Sequence, residues 1–170
     1  MNISKVKEPE IISLSRPITA IGLTMKTNMK NVFVDVTKIL KQYMSYKGKY
    51  GIPNQKAPWE YISLSRNFNN DQTWDYLTGH AVNSTEKIPE VFTAFEVPTG
   101  TYAVFPVRPR LSFMLGFTIG KTKKNIYEIW LPKSIYEFAG YEFEYNNEKM
   151  FNENPHYIDL YIAVNEKSKK

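Results

Sequence analysis

Glu142 and Glu144 are the residues of this chain best placed to do chemistry, because they alternate with aromatic rings in Tyr141-Glu142-Phe143-Glu144-Tyr145. That alternation has the period of a strand. It puts the two carboxylates on one face and Tyr141, Phe143 and Tyr145 on the other. A carboxylate on a solvated face has little consequence. One that faces a folded interior must be paired, protonated or used. In use, it would select a cation or act as a general base on water. Glu142 has the same parity as Glu144, so either could be the acid concerned.

Composition narrows the chemistry. The chain has no cysteine, which excludes disulfides, thiol catalysis, iron–sulfur clusters and zinc-thiolate sites. Its two histidines, His80 and His156, lack metal-ligand spacing and read as surface or turn residues. No metal and no cofactor is expected. Aromatic residues make up 15% of the chain, which favours a surface or cavity built from flat, amphipathic rings. Trp59 and Trp74 either line the rim of such a cleft or pack the sheet, and Trp59 is kept as a candidate ligand residue.

The net charge is +5, yet residues 128–159 hold seven acids against two bases, centred on the Glu142–Glu144 strand. The basic clusters are short. Lys121, Lys123 and Lys124 read as a solvated face, and Lys167, Lys169 and Lys170 as a frayed tail. Without a basic stripe, no direct nucleic-acid binding is expected. The first residues lack an apolar signal region, and no run approaches membrane-spanning length. A cytoplasmic chain with no membrane contact is expected. Gly116 to Thr122 looks like a phosphate loop but has three residues between its glycines where four are needed.

The elements that must position the carboxylates follow from periodicity and punctuation. Residues 1–10 read as a loose arm. Residues 11–25 read as one long strand, disturbed at Arg16-Pro17 by a bulge or an edge position. Val32, Val36, Ile39 and Tyr43 recur at helical spacing, with Phe33, Leu40 and Met44 widening the stripe. That predicts a helix over 31–47, capped by Asn28 or Asn31 and stopped near Gly48 and Gly51. Strands are predicted over 59–64 and 74–82, joined by polar turn residues. Pro89 marks a second start, with strands over 92–97 and 101–107 on either side of a turn at 98–100. Residues 111–118 have no clear period. A helix is predicted over 119–131, ended by Pro132. Strands over 141–146 and 157–164 follow.

The order strand, helix, strand, strand therefore occurs in 11–82 and again in 89–164, there with one extra strand in front, and residues 165–170 form a tail. Residues 1–170 read as a single domain. The fold class is α+β, a curved, mostly antiparallel sheet with two helices on one face. A cleft where two similar halves meet is a natural ligand site.

Four segments in order carry a resemblance: FEVPTGTYAVFPV over 95–107, IYEIWLP over 126–132, YEFEY over 141–145 and DLYIAV over 159–164. They closely resemble the GyrI-like small-molecule-binding superfamily, which includes effector-binding domains of multidrug-sensing transcription regulators of the AraC and MerR types. The likeness is strong over 89–164 and rests on element order over 11–82. It implies a duplicated fold and an aromatic-lined cleft with an acidic floor, suited to cationic or amphipathic, often aromatic, small molecules. By position, it implies Glu144 as the pocket acid and Tyr161, Tyr43, Tyr61 and Tyr127 as pocket tyrosines. Thr99 and Ile135 depart from the family pattern in minor ways. The regulators carry their own DNA-binding domain, whereas only about ten residues precede the first strand expected here, so a stand-alone binding domain is expected. The resemblance also leaves open a hydrolase of cyclopropane-containing toxins, in which Glu144 would be the base, or a protein partner of the gyrase-inhibitor kind. In that last case the face bearing Tyr141, Phe143 and Tyr145 would do the binding.

Overall fold

Short connectors between distant strands set the shape of this molecule. The computed structural model describes residues 8–168. Its strands are β1 (Glu10–Leu14), β2 (Ile18–Asn28), β3 (Glu60–Arg66), β4 (Thr73–Ala81), β5 (Thr93–Val97), β6 (Gly100–Val107), β7 (Tyr136–Asn147) and β8 (Ile158–Glu166). All eight join one antiparallel sheet in the order β1-β6-β8-β7-β3-β4-β2-β5. β5 and β6 stand near opposite ends of that order, yet only Pro98 and Thr99 separate them. In a flat sheet their positions would lie about 29 Å apart, at roughly 4.8 Å per strand. Three residue steps span at most about 10 Å. The sheet must therefore curl until its ends meet. The link between β1 and β2, Ser15 to Pro17, imposes the same closure.

This corrects the reading of residues 11–25. Pro17 neither bulges a continuous strand nor marks an edge within one. It separates two strands that belong to opposite ends of the sheet. The turn at residues 98–100 likewise connects strands that do not pair with each other. The arm expected over 1–10 is described only from Glu8, and Glu10 already opens β1; Lys169 and Lys170 of the tail also lie outside the described residues.

Tight curvature needs close backbone approach. Gly22 and Gly79 face each other across β2 and β4. A Cβ on Gly22 would lie 1.8 Å from the Thr78 carbonyl oxygen, and one on Gly79 would lie 2.0 Å from that of Ile21. Only glycine fits at either position. The concave face is filled by a core to which every strand contributes, including Ile12, Ala20, Leu64, Leu77, Phe95, Tyr102, Phe143 and Ala163.

The other face carries the helices. α1 (Val32–Tyr50) starts after a turn in which Asn28 Oδ1 accepts the backbone N–H of Lys30 at 2.9 Å and of Asn31 at 3.1 Å. Asn31 itself makes no side-chain cap. The helix runs through Gly48 and ends at Gly51, whose φ of 68° closes it. Ile39, Val32 and Val36 pack on Leu23, Met25, Trp74 and Tyr76. Phe33 and Met44, expected in the buried stripe, remain exposed.

The second helical segment begins earlier than its periodicity indicates. A 3₁₀ turn (Ser112–Met114) leads into α2 (Leu115–Asn125), followed by a π turn (Ile126–Trp130) and the one-turn α3 (Leu131–Lys133). Two glycines and two threonines blur the apolar period at its start. Thr118 and Thr122 return their hydroxyl hydrogens to the backbone one turn back. The phosphate-loop look-alike, residues 116–122, is thus helical. Ile126 and Trp130 bury against Phe105, Leu160 and Ile162. A short α4 (Glu148–Asn152) links β7 to β8, its first turn capped by Asn147.

Candidate ligand-binding site

Register settles which side chains share a face. On β7, Glu142 pairs with Ser65 of β3 and Ile162 of β8, and Glu144 with Ser63 and Leu160. Both carboxylates therefore stand on the helix-bearing face. In the β3–β4 hairpin, Tyr61 pairs with His80, Ser63 with Thr78 and Ser65 with Tyr76, and these stand on the same face. α1 reaches the group through Tyr43, and α2 through Lys123, with Tyr127 following in the π turn. The middle strands thus form a floor between the two helical segments.

That floor is a connected polar network. Thr78 Oγ1 lies 2.6 Å from the Tyr61 hydroxyl and 2.9 Å from Ser63 Oγ. The rings of Tyr43, Tyr61 and His80 meet with centroids 5.0–5.8 Å apart, and Trp59 stands edge-on to His80 at 5.9 Å. Burial is the main force raising the tyrosine hydroxyls above their ordinary range, so Tyr43, Tyr61, Tyr76 and Tyr127 are neutral at any physiological pH.

The carboxylates are not alone. Lys123 Nζ lies 2.7 Å from Glu142 Oε1 and 3.1 Å from Glu144 Oε1. The Tyr127 hydroxyl donates to Glu142 Oε2. Glu142 is 5% exposed and satisfied on both oxygens. The Glu144 side chain is 24% exposed, and its Oε2 takes no hydrogen bond among the described residues. Burial works against the Lys123 charge, but the two carboxylates outweigh it and raise the ammonium well above the usual lysine range.

The structure brings Glu144, Tyr43, Tyr61, Tyr127 and Trp59 to one face. It places Tyr161 on the other. Tyr161 pairs with Phe143 and stacks on it at 4.3 Å, inside the concave core. Strand alternation separates Tyr161 from Glu144, since Leu160 is the residue that faces Glu144. On that same face Phe143 is buried in the core, while Tyr141 and Tyr145 pack against it half-buried.

His80, Tyr76 and Lys123 were missed by sequence reasoning. His80 is 3% exposed, not a surface residue. The signal was present in Trp74, Tyr76, Thr78 and His80, which alternate along one strand. Lys47 can only donate, so its ammonium, 3.4 Å from His80 Nε2, leaves the ring hydrogen on Nδ1. That hydrogen then donates to the Tyr43 oxygen at 2.6 Å. Burial, helped by Lys47, pushes His80 down to about 4. The unfolded chain protonates this ring near pH 6.5, while the folded chain resists until about pH 4. The stability His80 contributes is therefore complete above pH 6.5 and is lost as pH falls toward 4. Lowering the pH from 7 to 5 should cost about 2 kcal/mol of unfolding free energy from this group. Urea denaturation at the two pH values measures it, and His80→Gln should flatten the difference.

Residues 12–164 match the family described as integron-associated effector binding protein, or Cass2. The chain belongs to that family. Among solved structures, the integron cassette protein VCH_CASS2 of Vibrio cholerae is 12% identical, with 94% of this chain and 97% of that one covered and a TM-score of 0.64. SAV2435, solved bound to tetraphenylphosphonium, is 10% identical over 93% of this chain and 94% of that one, with a TM-score of 0.71. A putative transcription regulation protein of Staphylococcus aureus is 12% identical over 92% and 97%, with a TM-score of 0.64. At such identities these neighbours share the fold. No curated protein matches the chain by sequence. As an integron-associated effector binding protein, the chain is a ligand-binding domain on the GyrI-like fold. Among the described residues, no helix is long and apolar enough to cross a membrane.

Proposed function

We propose that this domain binds a cationic or amphipathic, often aromatic, small molecule on the face between its two helical segments, with Glu144 as the acidic contact. The observation that carries the reading is the Glu144 carboxylate. It is part-exposed, has one oxygen without a hydrogen bond among the described residues, and shares its face with Tyr61 and Tyr76, whose hydroxyls its charge helps to raise. Such a group discriminates by charge, because a neutral ligand that covers it leaves the charge uncompensated. Rings around it add cation–π attraction of roughly 0.5–2 kcal/mol per contact. Tyr61, Tyr127 and Trp59 are half-buried and form the ligand surface, with Tyr43 and Tyr76 behind them. Tyr161 is left out of the site because its ring lies behind the sheet. The ligand of SAV2435, tetraphenylphosphonium, is a cation surrounded by aryl rings, which fits the same chemistry.

The test is a titration at pH 8 with a cationic triarylmethane dye and its neutral leuco form. The cationic dye should bind saturably, at one molecule per chain, and quench Trp59 fluorescence. Equal affinity for the two forms would overturn the reading.

A further inference from the structure

The ligand site already holds a cation of its own. Lys123 and Tyr127 are four residues apart and grip Glu142 together, one on each oxygen. The remaining reach of the ammonium goes to Glu144, which has no second partner among the described residues. The pair is therefore asymmetric. Glu142 is buried and fully bound, while Glu144 is part-exposed and half bound. Two carboxylates and one ammonium leave a single negative charge. Among the described residues, no other basic side chain pairs with either carboxylate.

We propose that Lys123 is a tethered counter-cation that sets the charge this site accepts, holding Glu142 permanently and releasing part of its hold on Glu144 when a monocationic ligand arrives. The inference rests on the ligand-site reading above. An ammonium has three donor hydrogens and a flexible stem, so it can keep Glu142 while giving up Glu144. A single positive charge then neutralises the site. A dication over-fills it, because Lys123 stays bound to Glu142 and repels the second charge. Lys123 thus excludes ligands by charge as well as competing with those that fit.

Crystal violet and methyl green test this, since these triarylmethane dyes differ by one added cationic group. Wild type should favour the monocation. Lys123→Met leaves two uncompensated carboxylates, so the affinity ratio should move toward methyl green by about tenfold or more. Lys123→Arg keeps the charge and should keep the wild-type ratio. A ratio that is the same in all three proteins overturns the proposal. Nuclear magnetic resonance of the lysine ammonium groups needs no altered protein to fold. The Lys123 signal should be protected from exchange in free wild type and should shift when crystal violet saturates the site. An unprotected or unmoved signal overturns the proposal as well. If Glu144→Gln weakens dye binding while Lys123→Met leaves the ratio unmoved, only the role of Lys123 fails. If wild type binds neither dye, or Glu144→Gln changes nothing, the ligand-site reading fails and takes this inference with it.

Discussion

Glu144→Gln is expected to lower the affinity for a cationic aromatic dye by about 2 kcal/mol or more, roughly thirtyfold, as when one member of a desolvated charge pair is truncated. The substitution keeps the side-chain shape and removes the charge. Lys123 keeps its contact with Glu142 at 2.7 Å, so the site becomes neutral and a ligand cation has no net attraction left. Affinity for a neutral analogue should hold or rise, because an under-compensated charge has gone. Isothermal titration with the cationic and leuco dyes reads both effects. Unchanged affinity for the cation would place the ligand away from Glu144. Glu142→Gln is the informative companion. Its carboxylate is buried and doubly bound, so its loss should lower stability, and because it leaves Lys123 facing Glu144 alone it should weaken cation binding too.

Phe143→Ala should cost about 4 kcal/mol of stability, within the range for truncating a buried aromatic. Phe143 is 1% exposed, lies 4.3 Å from Tyr161 in a stacked pair and meets Tyr102 edge-on at 5.3 Å. The concave core around it collapses poorly, because the curled sheet is held closed by two short connectors. Urea unfolding measures the loss. Dye affinity of the folded protein should change little, since Phe143 and Glu144 point to opposite faces of β7. A loss below about 1 kcal/mol would mean that this face is open to solvent, as a protein-interaction surface would require.

The alternation at residues 141–145 was enough to separate Glu142 and Glu144 from Phe143. A strand has one parity wherever it sits, and the structure keeps it. The same rule, applied to 159–164, would have set Tyr161 against Phe143 had the pairing register been known. Register is a long-range property, fixed here by β7 lying beside β8 with a shift between Phe138 and Glu142. Position in a family motif carried no such information, so Tyr161 was grouped with residues it cannot reach.

Lys123 shows the same limit for charge. Beside Lys121 and Lys124 it reads as one of three solvated lysines. Its spacing of four from Tyr127 places both on one side of a helical segment, but nothing local says which side meets the sheet. The glycines and threonines of α2 weaken the apolar stripe that would have given the orientation. His80 failed for a related reason. Histidine is often exposed, and its burial here comes from α1 and the β3–β4 hairpin closing over it.

The amino-acid sequence by itself determined the α+β class, the order of the elements from the first helix onward and the opposite faces of the 141–145 strand, because each follows from short-range periodicity and from proline and glycine punctuation. Only the tertiary structure decided that β1 and β2 belong to opposite ends of a curled sheet, that Tyr161 lies behind it, and that an internal ammonium stands on the acidic floor. These depend on which strands pair and in what register. That choice minimises exposed apolar surface and unpaired charge over the whole chain at once, and no local window contains it.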